Sequence, residues 1–106
     1  MKIGIIISTN DAETCWNALR FANVALAQKD QVSVFFIGKG VEYLEIGTKD
    51  FNVIEQAENF MRSGGKVDAC GTCIKFRHNK ESEMCPISTM KDLYDIVQES
   101  DKILTF

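Results

Sequence analysis

The sequence predicts a single α/β domain over residues 1–106, with helices on both faces of a mainly parallel, five-stranded sheet. Segments rich in β-branched residues alternate along the chain with segments whose apolar residues recur at helical spacing. The hydrophobic fraction of 45% is that of an ordinary globular domain, which can build a core without disulfide bonds or a structural metal ion. Alternating strands and helices fold into a three-layer α/β/α arrangement with right-handed crossovers.

The N-terminal segment predicts a strand followed by a helix. Residues 2–7 form an apolar, β-branched run without polar alternation, which is typical of a strand buried on both faces. Asn10 and Glu13 have the spacing of a capping box, so we expect a helix that begins there and runs to about Gln28. Cys15 lies on the apolar stripe of this helix and is therefore expected in the core.

The middle of the chain predicts two further strands and a helix. Residues 31–37 are rich in Val and Phe and lead into a glycine turn, which indicates a second strand. A short helical piece is expected at Val41 to Ile46, stopping at Gly47. A second capping pattern begins at Asn52, and the helix that it starts ends at a glycine pair. Lys66 to Cys70 is the third predicted strand.

The last third of the chain completes the alternation. Residues 84–87 (MCPI) are a weak candidate for a short fourth strand, because proline is tolerated only at a strand end or edge. Thr89 and Asp92 are then expected to cap a helix. Residues 102–106 (KILTF) read as the closing strand, which gives the five strands of the predicted sheet.

Composition excludes several classes of function. The net charge of −3 and the pI near 5.1 argue against a nucleic-acid surface, which needs clustered Lys and Arg. The apolar runs are too short for a membrane span, and the N-terminus lacks the features of a signal peptide. We therefore expect a cytoplasmic protein that works with small molecules or protein partners and binds no membrane.

The most informative stretch is DACGTCIKFRH, residues 68–78, which follows the third predicted strand. Its two cysteines, Cys70 and Cys73, lie where a strand meets a probable helix, and chemistry in open α/β sheets is usually found at such strand ends. In a reducing compartment the thiols point to metal binding or catalysis rather than to structural disulfides. Three interpretations remain open at this point.

Each interpretation uses the cysteines differently. Cys70, Cys73, His78 and Cys85 have the ligand types of a tetrahedral zinc site, although a second tight pair is missing. A C-x-x-C pair at a helix start also suits a dithiol that cycles through a disulfide, its first thiol activated by helix amides. Alternatively, Cys70 alone carries sulfur in a partly exposed, electropositive setting supplied by Lys75 and Arg77.

Four segments, in this order along the chain, resemble the DsrE/DsrF/TusD-like sulfur-relay family, including its small stand-alone YchN-like members. The start MKIGIIIST is similar to the first strand and loop of that family, and VFFIGKGV at 34–41 is similar to its second strand and turn. CGTCIKFR at 70–77 resembles its cysteine segment, and DKILTF at 101–106 resembles its closing strand. The resemblance covers essentially the whole chain.

The resemblance implies a function and a set of site residues. Cys70 would carry sulfane sulfur as a persulfide and pass it to a partner thiol, with Arg77 at the matching basic position. Cys73, which many relay subunits lack, would be a resolving thiol that discharges the persulfide as a disulfide. The family further implies a homotrimer or homohexamer that meets sulfur donor and acceptor proteins. We expect neither a cofactor nor a metal.

Overall fold

A computed structural model of the chain describes residues 1–77 and 87–106. In these two ranges the strands are β1 (Lys2–Ile7), β2 (Gln31–Phe36), β3 (Lys66–Cys70), β4 (Ile87–Ser88) and β5 (Lys102–Thr105). The α-helices are α1 (Ala12–Ala27), α2 (Val53–Arg62), α3 (Gly71–Phe76) and α4 (Met90–Glu99), with a 3-10 helix at Gly38–Glu42. No helix in the described ranges is long and apolar enough to cross a membrane.

The strands form one sheet in the order β4-β3-β2-β1-β5, and every neighbouring pair is parallel. The steps from β1 to β2 and from β2 to β3 run one way across the sheet, and the step from β4 to β5 runs the other way. Right-handed connections therefore place α1 and α2 on one face and α4 on the opposite face. The predicted three-layer fold with a parallel five-stranded sheet is confirmed.

The core occupies both faces of the sheet, because successive strand residues such as Phe35 and Phe36 point to opposite faces. Ile5, Ile7, Phe35 and Phe36 are fully buried in the two central strands, and burial of each such side chain contributes about 1.5–3 kcal/mol. Cys15 is also fully buried, which confirms its predicted place on the inner stripe of α1.

The first helix is capped one residue later than predicted. The Asp11 carboxylate accepts hydrogen bonds from the backbone N–H and the hydroxyl of Thr14, at 2.9 and 2.8 Å. Asn10 is not the cap, because its side-chain amide donates to Glu42 at 3.4 Å. A carboxylate is the stronger acceptor for a helix N-terminus, so Asp11 takes the position and Asn10 is left available for a distant contact.

The other two caps are as predicted. The Asn52 side chain accepts from the backbone N–H of Glu55 at 3.1 Å and starts α2. Thr89 and Asp92 form a reciprocal capping box at the start of α4. Of the predicted fourth strand, residues 84–86 lie outside the described residues, and Ile87 begins β4.

The short helical piece after β2 lies earlier than predicted. It begins at Gly38 rather than Val41, and its i to i+3 hydrogen bonds include Gly40 N–H to the Ile37 carbonyl at 3.0 Å. Gly40 is the reason that this turn packs so tightly on β1. A Cβ at Gly40 would collide with the backbone carbonyl of Ile7, which already accepts the Ile37 N–H at 3.0 Å.

Gly40→Ala is therefore expected to destabilise the protein. The added methyl group meets rigid backbone rather than a flexible side chain, so the 3-10 helix must shift away from β1, at a cost of about 2–3 kcal/mol in unfolding free energy. Urea unfolding followed by circular dichroism measures this change. Lys39→Ala, at an exposed position of the same turn, is the matched control and should change stability by less than about 0.5 kcal/mol.

Candidate functional site

Three loops meet at the carboxyl edge of the sheet. The chain segments that leave β1, β2 and β3 at this edge are residues 8–11, the 3-10 helix with its entry at Ile37, and α3 with Arg77. Because the three strands are parallel neighbours, these segments lie side by side although they are about 30 residues apart in sequence. They place both predicted cysteines and Arg77 in one cluster.

Cys70 is the last residue of β3 and the N-cap of α3. It is only 3% exposed, its side chain makes no capping hydrogen bond to α3 in the described part of the chain, and the Cys73 thiol is its neighbour. Burial raises the pKa of the Cys70 thiol, since the charged thiolate loses its hydration, while the backbone amides of Cys73 and Thr72 oppose the rise. The partly exposed, activated setting expected for Cys70 from the sequence is therefore wrong.

Cys73 lies one turn further on α3 and is the more accessible of the two thiols, being partly exposed. Its sulfur accepts a hydrogen bond from the backbone N–H of Gly38, with 3.3 Å between nitrogen and sulfur. Gly38 has a φ of +58°, a left-handed conformation that glycine adopts without strain. The glycine turn after β2 thus aims an amide at the Cys73 sulfur.

This amide favours negative charge on the Cys73 sulfur. A hydrogen bond to a neutral acceptor contributes about 0.5–1.5 kcal/mol, and one to a charged acceptor about 1.5–3 kcal/mol. The difference, about 1 kcal/mol or more, is available only when the sulfur is a thiolate or a leaving group. The pair therefore combines a buried thiol with a partly exposed thiol that has its own N–H donor.

Arg77 is held by an ion pair rather than pointing freely at the cysteines. Its Nε donates to the Glu42 carboxylate at 2.7 Å, and its Nη1 donates to the Cys73 carbonyl at 3.3 Å. The other Glu42 oxygen accepts from the Asn10 amide. The ion pair of Arg77 with Glu42 thus links the end of α3 to the 3-10 helix. The hydrogen bond of Asn10 to Glu42 links the 3-10 helix to the loop after β1.

Glu42 and the Gly38 amide were not predicted from the sequence. Glu42 is 35 residues from Arg77, and residue types alone do not show where a backbone N–H is directed in the fold. One available signal was the GKG turn, whose glycines permit a close backbone approach. Lys75, expected beside the thiols, is exposed on α3 and forms no ion pair among the described residues.

The predicted zinc ligands are only partly described. His78 and Cys85 lie outside the described residues, so the four-ligand set is not tested. Within residues 1–77 and 87–106, no group of three His, Cys, Asp or Glu side chains is placed to hold a metal ion.

A buried carboxylate lies next to the cysteine pair in β3. Asp68 is 8% exposed, and its Oδ1 accepts from the Ser88 hydroxyl at 2.7 Å. Ser88 is the strand partner of Cys70, in the two-residue strand β4. Asp68 therefore fastens β4 to β3 at the level of Cys70, while its Oδ2 lies 3.5 Å from the Lys66 ammonium.

The structure is thus a small parallel α/β domain that holds a pair of thiols at the carboxyl edge of its sheet. Proteins of this class depend on cysteine for the chemistry of their site. The chain belongs to the DsrE/DsrF-like family, whose model matches residues 1–106. The resemblance to a sulfur-relay family is thereby confirmed at the level of the family.

Proteins of known sequence and structure agree with this placement. An uncharacterised protein of Methanocaldococcus jannaschii is 33% identical, with the whole of both chains covered. Another, from Methanopyrus kandleri, is 35% identical over 89% of this chain and 83% of its own. The crystal structure of the YchN protein from E. coli superposes with a TM-score of 0.84 at 23% identity and full coverage of both chains. This likeness shows the fold.

Glu42→Gln tests the tie between the loops through its pH dependence. The hydrogen bond from Arg77, and then the one from Asn10, hold the pKa of Glu42 below its ordinary value of 4.5. Its stabilising effect is therefore complete above pH 4.5 and is lost as the pH falls through the lowered pKa. Wild type should lose unfolding free energy more steeply than Glu42→Gln below about pH 4.5, in urea titrations at several pH values.

The matched control is Glu45→Gln, which removes an exposed carboxylate three residues further on. It should keep the wild-type slope. If Glu42→Gln also keeps that slope, the ion pair does not hold the loops together in solution.

Proposed function

We propose that the protein carries sulfane sulfur as a persulfide on Cys70 and passes it to a thiol of a partner protein. Family membership supports a role in sulfur relay. The observation that carries the proposal is the position of Cys70, at the end of β3 and the start of α3, where the backbone amides of Cys73 and Thr72 are near enough to oppose the rise in its pKa. Such donors are placed to stabilise the negative charge of a persulfide, which is ionised more readily than a thiol.

Loading begins when the Cys70 thiolate attacks the outer sulfur of a donor persulfide. A new S–S bond forms at Cys70, the S–S bond of the donor breaks, and the donor leaves as a thiolate. Unloading is the reverse reaction with an acceptor thiolate, which takes the outer sulfur and leaves the Cys70 thiolate. No external oxidant is needed, because the sulfane sulfur moves at constant oxidation level.

Burial of Cys70 has two opposite effects on this cycle. Because burial raises the pKa of Cys70, only a small fraction is thiolate near neutral pH and loading is slowed. Burial also keeps bulky thiols away from the persulfide, so that the sulfur is kept until the thiol of a fitting acceptor takes it. Slow uptake and long retention of the sulfur atom suit a carrier protein better than an enzyme with rapid turnover.

Cys70→Ser should abolish sulfur loading at residue 70, the position that carries the sulfur in wild type. The protein is incubated with glutathione persulfide, alkylated, and analysed by peptide mass spectrometry for the added sulfur atom. In wild type, the loading rate should rise with pH to above 9, the ordinary pKa of a cysteine, because the pKa of Cys70 is raised.

The matched control is Cys15→Ser, which removes another buried thiol and should load normally. Burial raises the pKa of Cys15 to about 11, and its thiol donates a hydrogen bond to the Thr9 carbonyl at 3.2 Å. A wild-type protein in which Cys70 never gains sulfur would refute the proposal.

A second candidate function is a dithiol oxidoreductase. The proximity of the Cys70 and Cys73 thiols at the start of α3 favours it, since the two cysteines of such a pair are close enough in the chain to form a disulfide. Titration with dithiothreitol redox buffers separates the two functions. A reversible disulfide formed without any persulfide donor supports the oxidoreductase, whereas a pair that stays reduced excludes it.

We further propose that the protein is a homo-oligomer, a trimer or a hexamer, which works in the cytoplasm and meets its sulfur donor and acceptor there. The helix α4 supports self-association, because Met90, Tyr94 and Val97 form an apolar stripe on its outer side and are 47–59% exposed. The free thiols of Cys15, Cys70 and Cys73 suit a reducing compartment.

Tyr94→Lys tests the oligomer. A charge in the centre of the stripe is costly to bury, so the sedimentation mass should fall from a multiple of 11.9 kDa to that of one chain. Glu99→Lys places the same residue on the polar side of α4 and should leave the mass unchanged. Wild type that sediments as a monomer at micromolar concentration would contradict this proposal.

A further inference from the structure

We propose that Cys73, rather than Cys70, is the thiol that exchanges sulfur with partner proteins, and that Cys70 is loaded and unloaded through it. The inference rests on the proposed function, because it assigns a second catalytic thiol to the same persulfide cycle. It also reverses the role that the sequence suggested for Cys73, which was to discharge the persulfide as a disulfide.

The difference in exposure between the two sulfurs is the first observation. Cys70 is 3% exposed, whereas Cys73 is partly exposed. In-line attack on a persulfide requires the attacking sulfur to approach the partner's S–S bond along its axis. The body of a protein donor cannot reach a sulfur that is closed off by its own domain, but it can reach Cys73.

The proximity of the two thiols is the second observation. Cys73 follows Cys70 by one turn at the start of α3, and its thiol is a neighbour of the Cys70 thiol. A sulfur atom held on Cys73 therefore lies beside Cys70. This arrangement provides a path from the surface to the buried site.

The third observation is the separate N–H donor of Cys73. The Gly38 amide, 3.3 Å from the Cys73 sulfur, comes from a different loop and does not contact Cys70 in the hydrogen bonds of the described residues. In every step of the relay Cys73 bears negative charge, first as attacking thiolate and then as leaving group. The Gly38 amide is placed to stabilise that charge. The ion pair of Glu42 with Arg77 holds the two loops in this position.

The relay consists of two balanced exchanges. The Cys73 thiolate first attacks the outer sulfur of the donor persulfide, forms Cys73 persulfide and releases the donor thiolate. The Cys70 thiolate then attacks the outer sulfur of Cys73 persulfide, which forms Cys70 persulfide and restores the Cys73 thiolate. Unloading runs through the same two steps in reverse.

A resolving role would have a different product. Attack of the Cys73 thiolate on the inner sulfur of Cys70 persulfide yields a Cys70–Cys73 disulfide and releases one hydrosulfide ion. The two roles are therefore distinguished by whether hydrosulfide appears as the protein is loaded.

The test compares a bulky and a very small sulfur donor. Wild type, Cys73→Ser and Cys70→Ser are mixed with glutathione persulfide or with hydrogen disulfide ion, and samples are quenched with an alkylating reagent over time. Trypsin releases residues 67–75 as one peptide, and fragmentation at 71–72 assigns the added sulfur to either cysteine. Released hydrosulfide is measured in parallel.

In wild type, sulfur from glutathione persulfide should appear on Cys73 before Cys70, without release of hydrosulfide, because glutathione thiolate is the leaving group. Hydrogen disulfide ion itself releases hydrosulfide when it gives up its outer sulfur, so the hydrosulfide readout applies only to glutathione persulfide. In Cys73→Ser, loading of Cys70 from glutathione persulfide should be slower by about tenfold or more, because access limits thiol exchange. Loading from the small ion should change by less than about threefold, because it reaches Cys70 unaided. Cys70→Ser should accumulate sulfur on Cys73.

The controls separate a catalytic from a structural effect. Serine keeps an acceptor for the Gly38 N–H, and equal unfolding curves for wild type and Cys73→Ser show that the loop is intact. Cys15→Ser should behave as wild type with both donors. If Cys73→Ser loads Cys70 from glutathione persulfide at the wild-type rate, or if loading of wild type from glutathione persulfide releases hydrosulfide, the inference fails while the proposed function stands. If Cys70 gains sulfur from neither donor in wild type, the proposed function itself fails.

Discussion

The parallel pairing of β1, β2 and β3 is the constraint on which the site depends. Parallel neighbours bring their carboxyl ends to one edge, so three loops from distant parts of the sequence meet there without any long excursion of the chain. Each loop then supplies a different part of the site. The first gives the Asn10 side-chain amide, the turn after β2 gives the Gly38 N–H and the Glu42 carboxylate, and the junction of β3 with α3 gives the two thiols. The site is a product of the sheet topology rather than of any one motif.

Within this arrangement, burial and hydrogen bonding act against each other at Cys70. The pKa of Cys70 is raised, so loss of hydration outweighs the backbone amides of Cys73 and Thr72. A helix of six residues has only a weak dipole to add, since helix-terminus effects are about 0.3–1 kcal/mol even in longer helices. A C-x-x-C pair at a helix start therefore does not by itself imply an activated first cysteine.

The sequence was a good guide to what local patterns control. Unbroken β-branched runs and capping residues placed the strands and most helix starts, because these depend on contacts within a few residues. The cap of α1 was missed by one residue because Asp11 and Asn10 both suit that position, and only the contact of Asn10 with Glu42 distinguishes them. Glu42 and the Gly38 amide could not be predicted, because their partners lie 35 residues away. The exposure of each cysteine likewise depends on the packed loops.

The bond between the Gly38 amide and Cys73 couples backbone geometry to sulfur chemistry. A thioether-like or protonated sulfur is a weak acceptor, whereas a thiolate is a strong one, so the same N–H is held loosely or firmly according to the charge on Cys73. The turn that carries this amide also carries Lys39, which is exposed at the surface. The charge on one sulfur atom therefore sets how strongly the Gly38 N–H of this turn is bound.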